Sequence, residues 1–252
     1  MTGIQLKSTR EIEVMAEGGR ILAATHAMLR GAVRAGLSTW DLDVMAEEFI
    51  RSHPGARPSF KGLYGFPGSL CTSINHEIVH GIPSKKRVLQ EGDIISIDAG
   101  VAFGGYHTDS AITVAVGAVD AGTQRLLDVT REALDAGIAA ALPGNHVGDI
   151  GAAVQAIVER AGFSVVRDLV GHGIGVAFHE DPQVPNHGKP KRGVRLMPGL
   201  TIAIEPMVNA GVPGTKTLSD KWTIVTADGK RSAHFEHTVA VTEAGPRVLT
   251  AA

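Results

Sequence analysis

The sequence predicts an α+β fold built from two related halves, and three observations carry that expectation. First, an internal repeat runs at a nearly constant offset. GLSTWDLDVMAEEFI, beginning at Gly36, matches GNHVGDIGAAVQAIV, beginning at Gly144, so Asp41 aligns with Asp149, Leu42 with Ile150 and Phe49 with Ile157. His80-Gly81-x-Pro83 matches His187-Gly188-x-Pro190, and the Gly92 to Asp98 segment GDIISID matches the Gly199 to Glu205 segment GLTIAIE. The offset is 108 in the first match and 107 in the other two. Second, GDIISIDAGVAF and YHTDSAITVAV flank Gly104-Gly105 as an antiparallel hairpin. Third, helical periodicity precedes the strands in each half. The expected plan is a single catalytic domain over 1–252 with internal halves of roughly 10–117 and 118–250, packed about a pseudo-two-fold. That packing brings Asp98 and Glu205, at the ends of equivalent strands, together at the centre. Two common helix starts plus a coincidence of spacing are the alternative.

The elements follow in order. Ser8-Thr9-Arg10-Glu11 reads as a capping box opening a helix that can run to Gly36. A second helix follows Ser38 and Thr39 and stops before Pro54. Residues 54 to 68, rich in Gly and Pro, read as a loop, and SLCTSIN is a short strand. After the hairpin, helical patterns cover roughly 120 to 141 and 149 to 161. LTIAIEPMV, WTIVTA, AHFEHTVAV and PRVLT are strand-like.

Length and composition narrow the function. With 252 residues, 44% hydrophobic and 20% charged, the chain can bury a sizeable core. A formal charge of -2 supplies no basic field for DNA, and Lys85-Lys86-Arg87 and Lys189 to Arg192 read as solvated turns. One cysteine, Cys71, forbids an internal disulfide and suits a reducing cytoplasm. No segment has the layout of a signal peptide or the length of a membrane span.

Five side chains suggest a metal centre. Asp98 ends the apolar run IISID, where burying an acid is costly unless something pairs with it. Across a hairpin turning at Gly104-Gly105, Asp98 and Asp109 share a face of the sheet, and a cation between them relieves their repulsion. Glu205 also ends an apolar strand, Glu236 lies in HFEHTVAV, and His172 sits in VGHGIG, where glycines let the backbone approach closely. Four carboxylates and one imidazole suit two divalent ions such as Mn, Fe, Co or Zn better than one tetrahedral zinc. A surface hairpin can carry an Asp-x10-Asp pair with no metal, so the full set is what gives weight.

The blocks IDAG…HTDSA, GHGIG…HE, IAIEPM and HFEHTV resemble those of the methionine aminopeptidases, over nearly the whole chain. With no large insertion in its second half and no long N-terminal extension, it is similar to their short bacterial type I form. The resemblance implies the pita-bread fold, an antiparallel sheet with helices on its outer face. It implies that Asp98, Asp109 and Glu236 span or share two metals, that His172 and Glu205 complete one of them, and that Glu205 is general base for a bridging hydroxide. It places His80 near the scissile bond and substrate amine, and His179 at the substrate carbonyl, where an imidazole donor would stabilise the oxyanion. As lone residues among 11 histidines these two would be structural. The implied substrates are N-termini of nascent polypeptides beginning with methionine, with a small second residue. A monomer in the cytoplasm, with transient contact with the ribosome, is the matching expectation. Proline-directed hydrolases of the same fold and non-catalytic peptide binders are the rival readings.

By family position, Phe60, Leu63, Phe66, Cys71, Phe178 and Trp222 would line an apolar methionine pocket; ordinary core packing is the alternative for each. Leu63 and Phe66 stand where tyrosines are frequent, so hydroxyl contacts are expected to be missing. Asn75 and Ser232 match positions that hold a monovalent cation. Two motifs mislead. His76-Glu77-Ile78-Val79-His80 fits H-E-x-x-H, but a strand precedes it and Gly81 and Pro83 follow, against the helix that motif needs. Gly171, Gly173 and Gly175 lack the dinucleotide spacing and read as close packing around His172. His187 is assigned no chemistry.

Overall fold

The structure is a computed structural model and describes residues 3–251. Its first half runs α1 (Thr9–Ala32), α2 (Thr39–Arg51), β1 (Arg57–Pro58), a 3-10 turn (Leu63–Gly65), β2 (Leu70–Ile74), β3 (Glu77–Val79), β4 (Ile94–Phe103) and β5 (Tyr106–Ala115). The second runs α3 (Ala121–Ala140), α4 (Val147–Arg160), β6 (Ser164–Val165), β7 (Gly171–Gly173), β8 (Glu180–Val184), β9 (Thr201–Ile204), β10 (Met207–Asn209), β11 (Thr215–Thr217), β12 (Ile224–Thr226), β13 (Ser232–His234), β14 (Glu236–Thr242) and β15 (Gly245–Val248). A nine-stranded antiparallel sheet has the order β1-β4-β5-β14-β9-β7-β8, with β2 beside β4 and β15 beside β14. Two three-stranded sheets, β13-β10-β6 and β11-β12-β3, complete the fold.

Local chemistry sets the helix starts. The Ser8 N–H donates to Glu11 Oε2 at 2.7 Å and the Glu11 N–H to Ser8 Oγ at 3.4 Å, a reciprocal cap on donors the helix leaves free. The first helix ends at Ala32, short of Gly36, because Gly36 turns away at φ 86° to donate its N–H to Leu89 O. The fourth begins at Val147, two residues early. The expected loop over 54 to 68 also contains a strand pairing, Pro58 with Val101, and the short 3-10 turn. Helix α1 packs on β4 and β5, and α3 on β9 and β14. Leu22, Ile95 and Ile97 from one half and Val154, Ile202 and Ile204 from the other are buried in one cluster. Burying each such side chain stabilises the fold by about 1.5–3 kcal/mol.

The repeat is a repeat of hydrogen bonds. Gly36 N–H reaches Leu89 O at 2.9 Å, and Gly144 N–H reaches Leu196 O at 2.9 Å. Thr39 N–H reaches Arg87 O at 2.9 Å, and Val147 N–H reaches Val194 O at 3.0 Å. Gly92 and Gly199 take φ 86° and 94°, and their N–H groups donate to Val116 O and Val241 O. From Val116 to Val241 the offset is 125, so the return strands are related more distantly in sequence than the strands that feed them. At that offset Ala111 corresponds to Glu236, and these two residues are paired where β5 meets β14. The pseudo-two-fold passes through that pair.

Candidate metal centre

The hairpin register pairs Asp98 with Ala111 and Gly100 with Asp109. Asp98 and Asp109 therefore sit diagonally on one face. Glu236, opposite Ala111, joins that face from the second half, and Glu205 arrives from the end of β9. His172 on β7 completes the approach. Its Nδ1 lies 2.8 Å from Gly173 O, which makes Nδ1 the donor and leaves the Nε2 lone pair facing Asp109 Oδ2 at 3.8 Å and Glu205 Oε1 at 3.9 Å. The glycines around it permit this. A Cβ on Gly171 would lie 2.3 Å from Ala203 O, and one on Gly173 2.2 Å from Asp181 O.

Asp109, His172 and Glu236 each bring a ligand atom within 4.8 Å of the others. Asp98 Oδ1, Asp109 Oδ1 and Glu236 Oε1 are buried and have no hydrogen-bond partner. Burial pushes the carboxyls of Asp98, Asp109, Glu205 and Glu236 upward, and the neighbouring acids push Asp98, Glu205 and Glu236 further. Buried acids without donors cost several kcal/mol each. A divalent cation would satisfy those oxygens, and the hard oxygen set with one imidazole fits one.

The centre forms the floor of a cavity of about 550 Å³. Phe60, Leu63, Phe66, Cys71, Phe178 and Trp222 all line it, with Phe60 edge-on to Phe178 at 5.3 Å and Phe66 edge-on to Trp222 at 5.1 Å. Cys71 is opposite Asp98 in the ladder, and burial and that acid hold its thiol well above the usual range. His80 and His179 also line the cavity. Burial lowers both to about 4, helped at His80 by His179 and at His179 by His172. Both rings are neutral near pH 7, each with one N–H to offer. His76 lies in a turn, Glu77–Val79 form β3 and His80 takes φ 60°, so the H-E-x-x-H segment is not helical.

Asn75 and Ser232 lie side by side away from the cavity, with Ser232 N–H donating to Asn75 O at 2.8 Å. Tyr64 and His234 are among the cavity residues that escaped the sequence reading. Tyr64, between the two positions where tyrosines were expected, stacks on His179 at 5.7 Å and brings its hydroxyl 3.2 Å from Nδ1, so the rim does carry a phenol. His234 lies on the cavity wall with its Nε2 3.6 Å from Glu205 Oε2. Burial, then His80, lowers it to about 3. The alternation of a strand places 234 on the face of 236, and that was the available signal.

The model of metallopeptidase family M24 matches residues 13–243. Methionine aminopeptidase 1 of Bacillus subtilis is 54% identical over 244 residues, covering 97% of this chain and 98% of its own. The methionine aminopeptidase of Clostridium perfringens is 52% identical over 247 residues, 98% of each chain. The crystal structure of methionine aminopeptidase from Thermotoga maritima superposes with a TM-score of 0.97 at 42% identity, covering 99% of this chain and 100% of that one. A prolidase from Pyrococcus furiosus, 22% identical, shares the fold at a TM-score of 0.79 over 98% of this chain and 65% of its own. With its curled antiparallel sheet, four helices and convergent acids, this chain belongs to metallopeptidase family M24, among the type I methionine aminopeptidases of the pita-bread fold.

Proposed function

We propose that the chain removes the initiator methionine from nascent polypeptides with a small second residue, using two divalent ions held by Asp98, Asp109, His172, Glu205 and Glu236. The observation that carries this is the convergence of all five side chains on the floor of one apolar cavity, with three buried carboxylate oxygens left without donors. When bound, such an ion pair acts as a Lewis acid and lowers the pKa of a shared water toward neutrality. The protein's own groups do the rest. Phe60, Phe66, Phe178 and Trp222 enclose an unbranched apolar side chain and exclude water, and the soft Cys71 sulfur suits a thioether. Glu205 takes the proton of the attacking water and passes it to the leaving amine. The neutral His179 donates to the carbonyl oxygen as it gains charge, and His80 donates beside the scissile bond. Asn75 and Ser232, adjacent through a backbone hydrogen bond, support a monovalent cation at the back of the site. The expected partners are nascent chains met by a cytoplasmic monomer in passing contact with the ribosome. No helix among the described residues is long and apolar enough to cross a membrane.

Purified protein incubated with Mn or Co and with Met-Ala-Ser or X-Pro peptides tests the reading. Release of methionine from Met-Ala-Ser alone supports it. Cleavage at X-Pro alone, or no turnover with either metal, rejects it.

A further inference from the structure

We propose that His234 is a positioning residue for Glu205, its Nε2–H donating to one carboxylate oxygen and so fixing which oxygen faces the metals; this rests on Glu205 acting in that centre. His234 is 1% exposed, lines the cavity, and has no partner for either ring nitrogen. Its Nε2 lies 3.6 Å from Glu205 Oε2, while Oε1 faces His172. Among the described residues, no donor reaches the Glu205 carboxylate at hydrogen-bond distance. Its backbone, in contrast, is held: the carbonyl accepts from Asn186 Nδ2 at 3.0 Å. A ring shift of about 0.7 Å brings Nε2 to hydrogen-bond length.

The pseudo-two-fold gives an independent argument. The Asp109 N–H donates to Thr238 Oγ1 at 2.9 Å, and that hydroxyl donates to Asp109 O at 2.8 Å. The His234 N–H donates to Thr113 Oγ1 at 2.9 Å, and that hydroxyl donates to His234 O at 2.7 Å. Both relations step by 125, from 109 to 234 and from 113 to 238. His234 therefore occupies the place of Asp109 in the second half, as Glu205 occupies that of Asp98. The acid–acid pair of the first half is an acid–imidazole pair in the second. A buried N–H without a partner is costlier than a bare acceptor, so the proton belongs on Nε2, the nitrogen nearest a carboxylate.

The test uses zinc-loaded protein with 15N-labelled histidine, read by long-range 15N–1H correlation. The expected result is a His234 ring protonated at Nε2. A ring protonated at Nδ1 with Nε2 on the ion overturns the proposal. In parallel, His234→Leu should lower kcat by about 10-fold or more with little change in KM, and weaken Mn binding about 10–100-fold. His234→Gln, whose amide reaches the same oxygen, should recover most of both. Leucine without effect, or glutamine as impaired as leucine, overturns it; if the leucine variant does not fold, the NMR arm and the glutamine variant decide. Glu205→Gln separates the two readings. Near-normal turnover and Mn affinity in that variant defeat the role of Glu205 itself. A dead Glu205→Gln beside an unimpaired His234→Leu defeats only the role of His234.

Discussion

The two halves hold their strands with matching hydrogen bonds and put different chemistry on them. On one side of the two-fold stand Asp98 and Asp109, on the other Glu205 and His234, and Ala111 faces Glu236 across the axis. The second half alone supplies His172, from a strand whose flanking glycines pack against Ala203 and Asp181, and the first half supplies Phe60, Leu63, Phe66 and Cys71. Frame positions that need a left-handed backbone keep glycine, Gly36 with Gly144 and Gly92 with Gly199. Positions that point into the cavity differ in residue type. A duplicated scaffold is thus compatible with a one-sided active site, because the frame asks only for particular dihedrals and donors, while the side chains that leave it are free to diverge.

Three perturbations probe that division, the largest first. His179 has no chemical twin in the first half, so His179→Ala should cut kcat about 10²–10³-fold, as loss of an oxyanion donor does; steady-state rates on Met-Ala-Ser measure it, and an unchanged kcat would make the ring structural. Next comes a buried histidine of the first half, His26, whose Nε2 lies 2.8 Å from Ser110 O beside the joint. Burial lowers it from 6.5 to about 4. Between those values the unfolded chain binds the extra proton, so stability is complete above about pH 6.5, falls as pH drops toward 4, and levels below. The loss is on the order of a few kcal/mol. Urea midpoints of the metal-free protein from pH 4 to 7 should show a steeper fall than those of His26→Gln, and parallel curves would contradict this. Smallest is the pair Thr113→Val and Thr238→Val. Each removes a hydroxyl that serves a buried N–H and C=O, at a cost of about 1–3 kcal/mol. Near-equal losses in urea unfolding would confirm an equivalent frame, and one silent variant would break the equivalence.

Much of this was legible in the chain. The step of 107 to 108 exposed the repeat because Gly36, Gly92 and their partners need left-handed backbone, which constrains residue type directly. The four acids and one imidazole stood out because an acid ending an apolar strand is chemically anomalous. The return strands stayed hidden, since the second half inserts β11 and β12 between Asn209 and Ser232, where the first half has only the tight turn after Phe103, and the step grows to 125. His234 was missed for that reason: its equivalence to Asp109 lies in hydrogen bonds to threonine hydroxyls, and neither residue type announces the other. Tyr64 escaped because rim side chains are placed by loop geometry, here a residue at φ 51° that periodicity does not foresee.

The joint between β5 and β14 has a consequence for how the chain assembles. Slipping that pairing by one residue turns every side chain of β14 to the opposite face, and Glu236 then leaves Asp109. A misregistered molecule would keep its strands yet break up the cluster of acids, and so forgo the stabilisation that metal binding there would give the correct form. On the proposed ligand set, metal capture would favour one alignment of the halves over its near neighbours and so proofread strand pairing.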